Sequence, residues 1–131
     1  MTARLGIAGF TGFLIASFCA SAAAAEAPDP ESGRSVFQLC QACHSTKPGG
    51  QSIGPTLFGV VGRRAGSVEG FDYSPAMKGA ARTWNRKTLD AYLTNPATSV
   101  PGNKMALVGI PDPRDRADLI AYLAQLGPKK P

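Results

Sequence analysis

Hydrophobic residues recur at helical spacing in three parts of the chain, and each part follows a residue that favours a helix start. The first covers residues 30–40, behind Asp29 and with Pro30 at its first position. The second follows Asn85, and the third follows Asp112 and is the most regular. Their apolar residues are Val36, Phe37, Leu39 and Cys40, then Leu89, Tyr92 and Leu93, and then Leu119, Ile120, Leu123 and Leu126. The pattern predicts three main helices.

Between these helices the chain is rich in glycine and proline and has no clear period. Residues 45–65 and 100–111 are predicted loops, and residues 73–81 contain one short helical stretch. Asn95 and Pro96 end or kink the second main helix. No run alternates as a strand would, so we predict an all-α fold. Long loops in so short a chain indicate that they wrap something or perform a function.

The N-terminus has the pattern of a secretory signal peptide. Arg4 precedes an uncharged stretch over residues 5–25, which is apolar as far as residue 18 and then becomes small and alanine-rich. We expect cleavage after Ala25, which leaves one domain over residues 26–131. The stretch is also long enough to be a retained membrane anchor, but its glycines and its small-residue end favour cleavage.

Composition and charge narrow the class of protein. The chain has 131 residues, which allows one domain, and 14 Lys and Arg against 9 Asp and Glu, a net charge of +5. Arg4 is the only charge in residues 1–25, so the rest of the chain keeps a net charge one unit lower. Its basic residues are scattered and few aromatic residues lie among them, so we expect no nucleic-acid binding. A weakly positive face for an acidic protein partner fits these numbers.

Residues 40–44 form a C-x-x-C-H motif, which is typical of the attachment site of a c-type haem. Cys40 and Cys43 lie about one helical turn apart, so both thiols can add to vinyl groups on one edge of a porphyrin. His44 follows directly and can bind the iron from one side. The motif comes at the end of the first predicted helix, which would hold all three groups on one rigid element.

Three other interpretations of the motif fit less well. A structural zinc site needs four ligands, whereas residues 26–131 hold two cysteines and one histidine. A redox-active dithiol would be expected in a βαβ unit, and no strand is predicted. A histidine buried only for packing would not have to follow the second cysteine, yet the single histidine of the chain does.

The chain resembles the small monohaem class I cytochromes c of the mitochondrial and purple-bacterial kind. The resemblance covers residues 33–127 and rests on several segments in the same order as in that family. They are Cys40-Gln41-Ala42-Cys43-His44, Gly54-Pro55-Thr56-Leu57, Gly70-Phe71-Asp72-Tyr73-Ser74, Trp84, Tyr92-Leu93-Thr94-Asn95-Pro96, Pro101-Gly102-Asn103-Lys104-Met105 and Leu119-Ile120-Ala121-Tyr122-Leu123. It implies the cytochrome c fold, with about three main helices, short ones and long loops around one haem c that is bound covalently through Cys40 and Cys43.

The residues alone leave the second ligand of the iron open. Met77, Met105, a lysine or no residue could occupy that position. Met105 lies in a loop where no helical face requires a large apolar side chain, 61 positions after His44. The resemblance places the axial methionine at Met105 and leaves Met77 as packing in the haem pocket.

The resemblance also assigns residues around the haem and at the main helix crossing. The carbonyl of Pro55 would accept a hydrogen bond from His44, and Tyr92 would lie near the Met105 sulfur. The residues expected to bond the haem propionates are Arg63, Tyr73 and Trp84. The first and last helices would approach each other closely at Gly33, with Phe37 and Tyr122 packing at the crossing.

Some positions depart from the usual family pattern. Leu107 stands where many members have phenylalanine beside the haem edge, and Asn103 replaces a more usual threonine. Lysines are absent from several places where the mitochondrial proteins have them, here Thr98, Ser99, Pro111 and Asp112. A weaker positive face is expected from Arg34, Lys47, Lys78 and Lys104, with Lys104 and Arg34 contributing most.

The resemblance implies a soluble, monomeric electron carrier and not an enzyme, and the export signal indicates the bacterial periplasm. Its partners would be redox proteins such as a quinol:cytochrome c oxidoreductase, a terminal oxidase, a photosynthetic reaction centre or a periplasmic dehydrogenase. The alternative is a haem enzyme or gas sensor in which Met105 is a labile ligand.

Overall fold

The computed structural model describes residue 2 and residues 26–128, so the predicted signal peptide lies almost entirely outside the described residues. Within these residues the domain has five α-helices, most of them separated by long loops. They are α1 (Pro30–Val36), α2 (Pro75–Lys78), α3 (Arg86–Thr94), α4 (Pro96–Ser99) and α5 (Pro113–Leu123). Within the described residues, β-structure is limited to one isolated bridge between Arg64 and Thr83. The all-α fold predicted from the sequence is confirmed, with α1, α3 and α5 as its three longest helices. In the same part of the chain, no helix is long and apolar enough to cross a membrane.

Helix α1 begins where the sequence predicts but ends earlier. The Asp29 carboxylate accepts hydrogen bonds from the backbone N–H groups of Glu31 and Ser32, at 3.0 and 3.2 Å. The predicted α-helix over residues 30–40 is wrong in its last turn, because residues Phe37–Leu39 form a 3₁₀ turn. This tightening is common at helix ends, where the last carbonyls lack α-helical partners. The C-x-x-C-H motif therefore begins just after the helical segment.

The first and last helices, α1 and α5, pack against each other. Gly33 is buried in α1, and Leu119 of α5 is fully buried. The rings of Phe37 and Tyr122 lie 5.2 Å apart at the same crossing, as predicted. Together these contacts join the N-terminal segment that precedes the motif to the last helix of the domain.

The Asn85 and Asn95 side chains cap successive helices. Asn85 accepts from the backbone of Thr88, whose hydroxyl accepts in return from the Asn85 N–H, which makes a capping box for α3. Asn95 ends α3 as predicted, but it also caps the additional helix α4 by accepting from Thr98 N at 3.0 Å. The sequence pattern did not predict α4, because four residues are too few to show a helical period.

The remaining chain is largely loop, as predicted. The short helical stretch expected within residues 73–81 is α2, which is capped by Ser74 through the Met77 N–H. Helix α5 ends at Leu123, and the residues that follow it as far as Gly127 form turns and bends. The Gly59 N–H donates to the Leu126 carbonyl, which fixes the first long loop to the end of the domain.

Candidate cofactor site

A cavity of about 600 Å³ lies at the centre of the domain. Its walls are formed mainly by apolar side chains of helices α2, α3 and α5 and of the loops between the helices. All nine residues predicted for the site line it: Cys40, Cys43, His44, Pro55, Arg63, Tyr73, Trp84, Tyr92 and Met105. Met77 lines it as well. Two long loops therefore converge on one space, which accounts for how so much irregular chain can be ordered in a small domain.

The C-x-x-C-H residues form a tight turn on one part of the cavity wall. The N–H groups of Cys43 and His44 both donate to the Cys40 carbonyl, at 3.0 and 2.9 Å. Cys40 and Cys43 are half-buried and neither forms a disulfide in the described structure. Burial raises the pKa of the Cys40 thiol, and the neighbouring Cys43 adds to this effect. The Cys40 thiol is thus a protonated, neutral group beside an apolar space.

The His44 ring is fixed by the chain segment that follows the motif. Its Nδ1 lies 2.7 Å from the Pro55 carbonyl oxygen. Since a carbonyl can only accept, Nδ1 carries the proton and Nε2 keeps its lone pair. Gly54 packs on the same ring, and a β-carbon at Gly54 would lie 2.5 Å from the His44 Cε1. Burial lowers the pKa of His44, although the bond to Pro55 opposes this effect. The imidazole is therefore neutral and able to bind a metal through Nε2.

Met105 reaches the cavity from the loop between α4 and α5. The Tyr92 hydroxyl of α3 lies 3.9 Å from the Met105 sulfur and 3.4 Å from the Asn103 Oδ1. Burial raises the pKa of Tyr92 to about 12, so this hydroxyl remains a hydrogen-bond donor at neutral pH. The predicted proximity of Tyr92 to the methionine sulfur is present in the structure.

Three polar or amphipathic side chains lie elsewhere on the cavity wall. The Arg63 guanidinium donates to the carbonyls of Phe58 and Thr56, at 2.9 and 2.7 Å. Burial lowers the pKa of Arg63, but a guanidinium stays charged in proteins. The Tyr73 hydroxyl accepts a long bond of 3.4 Å from the Val68 N–H. The Trp84 ring packs 5.0 Å from that of Tyr92.

The sequence did not predict the exposed part of the rim. Ile53 and Leu39 line the mouth of the cavity, yet 80 % and 65 % of their surfaces are exposed. Asp72 and Lys104 also line the mouth and form an ion pair of 3.0 Å. For Ile53, a large apolar residue in a loop where no helical face needs it is the signal that could have identified it. Leu39 was predicted on the apolar face of the first helix, and this is wrong, because the 3₁₀ turn over Phe37–Leu39 leaves its side chain exposed at the mouth.

The residues of this cavity fit a haem. An apolar space, two thiols with helical spacing, a neutral imidazole and a thioether are the groups that such a cofactor requires. Within the described residues no three His, Cys, Asp or Glu side chains come together as a metal site of their own. A structural zinc site is therefore not supported by the part of the chain that the structure describes.

Comparisons with known proteins agree with this geometry. The cytochrome c family model matches residues 30–127. The chain is 50 % identical over 105 residues to a cytochrome c2 of Rhodomicrobium vannielii, covering 79 % of this chain and 84 % of the relative. It is 46 % identical over 100 residues to a cytochrome c2 of Rhodoblastus acidophilus, covering 76 % and 94 %.

A solved structure, that of cytochrome cH from Methylobacterium extorquens, superposes with a TM-score of 0.71. It is 41 % identical and covers 74 % of this chain and 98 % of its own. Matches of this extent support a single-haem electron carrier. The chain belongs to the cytochrome c family, and its cofactor is a covalently attached haem c.

Proposed function

We propose that this protein is a soluble periplasmic electron carrier whose single haem iron is bound by His44 and Met105. The observation that carries the proposal is that both side chains line the same cavity as Cys40 and Cys43 and that each is held by a neighbour. His44 is held by Pro55, and Met105 lies beside Tyr92. The bound haem supplies a metal that changes its charge by one electron.

His44 serves as a fixed nitrogen ligand. The Pro55 carbonyl holds the proton on Nδ1, so Nε2 is always the free nitrogen and the ring cannot rotate without losing a bond of 2.7 Å. The His44 ring also packs against Gly54. Because glycine has no side chain, the ring fits there, whereas a β-carbon at residue 54 would push against the ring. Pro55 and Gly54 therefore orient the His44 ring through contacts within the chain, without any contribution from the metal.

Met105 determines which chemistry is available. A thioether sulfur is a soft ligand that favours the reduced iron and raises the reduction potential. With His44 and Met105 both bound, no position is open for oxygen or a substrate. Pro55 holds His44 and Tyr92 lies beside Met105, so these two ligands would need to move little when a bound haem gains or loses one electron, which suits electron transfer.

Arg63, Tyr73 and Trp84 are proposed to bind the haem propionates. Arg63 uses two of its donors on backbone carbonyls, which fixes the plane of the guanidinium. A guanidinium has five N–H donors, so three remain for a carboxylate. Its charge in a partly buried wall favours an anionic group there.

The location and partners follow from the leader and the relatives. The predicted signal peptide over residues 1–25 directs the chain to the periplasm, where we propose that residues 26–131 act as a monomer. The relatives named cytochrome c2 favour redox proteins as partners. The candidates are a quinol:cytochrome c oxidoreductase, a terminal oxidase, a photosynthetic reaction centre and a periplasmic dehydrogenase. Mass spectrometry of the exported protein tests the leader, since cleavage after Ala25 gives Glu26 as the first residue.

The ligand assignment is tested with two methionine variants of the haem-loaded protein. Met105→Ala should keep its haem but lose the weak sulfur-to-iron band at the red end of the ferric spectrum. Met77→Leu is the matched control, because Met77 lines the same cavity from α2. Loss of the band in Met77→Leu and its survival in Met105→Ala would refute the assignment.

Carbon monoxide separates an electron carrier from a haem enzyme or gas sensor. The reduced wild-type protein should not bind it, because Met105 occupies the iron, whereas reduced Met105→Ala should bind it. Rapid binding by the wild-type protein would favour the enzyme or sensor instead. The measurement is the change in the visible spectrum of the reduced protein on addition of the gas.

A further inference from the structure

The side-chain amide of Asn103 bonds to four different parts of the structure around Met105. Its Nδ2 donates to the carbonyls of Pro96 and Val100, at 2.8 and 2.9 Å. Its Oδ1 accepts from the Met105 N–H at 2.8 Å and lies 3.4 Å from the Tyr92 hydroxyl. Both donors and both lone pairs of the amide thus have partners, the full capacity of this group.

These partners belong to separate elements. Pro96 is the first residue of helix α4 and Val100 is its C-cap, whereas Tyr92 lies on α3. Asn103 is half-buried and its own N–H donates to Val100 O at 3.0 Å. After Asn103, the next backbone N–H of this loop that donates to a backbone carbonyl of the described residues is that of Ile110. Its partner is the Leu93 carbonyl. The chain between these two anchors includes Met105, whose N–H is held by Asn103.

We infer that Asn103 is a positioning residue for Met105. Its amide holds the Met105 backbone at a fixed distance from α3 and α4, and thereby holds the sulfur within reach of the iron. The inference rests on the proposed function, in which Met105 is the iron ligand. Asn103 itself lines no part of the cavity wall that the haem would contact, so its effect acts through Met105.

The more usual threonine could not make the same set of bonds. A hydroxyl has one donor, so it could serve Pro96 or Val100 but not both. Aspartate has the shape of asparagine, but it would place an acceptor against the two carbonyls that now receive Nδ2. The donors of Asn103 are therefore as important as its acceptor, and substitutions can separate the two halves of the amide.

The experiment compares two readouts on the haem-loaded protein in increasing urea. The sulfur-to-iron band reports Met105 on the iron, and far-ultraviolet circular dichroism reports the helices. In Asn103→Ala the band should disappear at lower urea than the helices, with the equilibrium constant for loop opening raised about tenfold or more. The reduction potential should fall, because the iron spends more time without sulfur. Asn103→Asp should behave like Asn103→Ala, and Asn103→Thr should recover part of the loss.

Asn95→Ala is the matched control. Asn95 caps α4 through Thr98 N and does not contact Met105, so this variant should move the band and the helices together. The inference would be overturned if, in Asn103→Ala and Asn103→Thr, the urea midpoints of the sulfur-to-iron band and of the helices differed by no more than in the wild type and the reduction potential were unchanged. If Asn103→Ala does not fold, the same two readouts and the potential of Asn103→Thr alone test the inference. Survival of the band in Met105→Ala would instead refute the proposed function itself, so the two failures are distinguishable.

Discussion

Gly33 of α1 lies directly on the backbone of Asp118 in α5, so close that a β-carbon at residue 33 would overlap the Asp118 carbonyl oxygen. Asp118 is itself buried, and its carboxylate accepts from the Asp29 N–H at 2.7 Å and from Arg114 at 3.1 Å. The crossing of α1 and α5 therefore leaves no space for a side chain at residue 33. The two helix backbones cannot move apart without breaking these hydrogen bonds.

Gly33→Ala should destabilise the protein even though alanine favours helices. Alanine gains about 1 kcal/mol of helix propensity over glycine, but forcing a methyl group into a packed crossing costs about 1–3 kcal/mol, and more where backbone must move. Since the overlap is with backbone, we expect a net loss. Urea unfolding measures it, with the exposed Ser35→Ala in the same helix as control. Equal or greater stability in Gly33→Ala would contradict the packing described here.

Gly54→Ala should disturb the iron ligand without releasing the haem. A methyl group at residue 54 would press on the His44 ring at 2.5 Å, whereas Cys40 and Cys43 would still hold the porphyrin. We expect a weaker His44–iron bond, seen as a shift of the ferric absorption bands toward a high-spin spectrum. Gly79→Ala is the control, because the nearest atom to a β-carbon there is 3.3 Å away. Identical spectra in Gly54→Ala and the wild type would show that the ring has room to move.

The double variant Cys40→Ala with Cys43→Ala tests how far the cofactor organises the loops. Haem should become extractable with acidic organic solvent, because no thioether bond remains. The chain without haem should lose most of its ordered structure, since its loops converge on an apolar space that would be empty, and small domains rarely tolerate such a loss. Circular dichroism measures this. A well-folded, haem-free double variant would refute the idea that haem orders these loops.

The sequence pattern predicted the helices that have local signals. The family resemblance predicted nine residues of the cavity wall and the contacts of His44 with Pro55 and of Tyr92 with Met105, but other contacts within the loops were not predicted. Helix α5 has a capping aspartate, a proline at its first position and a regular apolar face, so neighbouring residues determine it. The bonds of Asn103 to Val100 and of Arg63 to Thr56 join parts of irregular chain. No periodicity encodes them, because they depend on how the loops close around a common centre.

Acid should weaken the start of α1 through Asp29. The Ser32 hydroxyl and the backbone N–H groups of Glu31 and Ser32 lower the pKa of this carboxylate below its ordinary value of 3.8. A lowered pKa means that its stabilisation is complete above about pH 4 and is lost as the pH falls through the folded-state value. Asn caps helices about as well as Asp but does not titrate there. Asp29→Asn should therefore lose less stability in acid than the wild type, as measured by urea midpoints from neutral pH downward. Parallel curves for the two proteins would exclude a contribution from Asp29.

The charge at the cavity mouth should be governed by Asp72 as much as by Lys104. The Asp72 carboxylate lies 3.0 Å from Lys104 Nζ and 3.9 Å from Lys78 Nζ, and Lys104 lowers its pKa, so it is ionised at neutral pH. All three side chains are largely exposed, so the pairs add little stability. Their charges still act together on an approaching partner, since screening extends over about 8 Å at physiological salt. One acid beside two lysines leaves a local charge of only +1.

Neutralising Asp72 should therefore strengthen electrostatic steering at the mouth. We expect Asp72→Asn to speed oxidation of the reduced protein by ferricyanide, an anion, and to make the rate fall more steeply with ionic strength. Lys104→Gln should flatten that dependence. Asp115→Asn is the matched control, because it changes the net charge equally on an exposed part of α5 that does not line the cavity. Stopped-flow rates at several salt concentrations measure the slopes. Equal slopes for Asp72→Asn and Asp115→Asn would mean that net charge, and not the pair at the mouth, controls the approach of the anion.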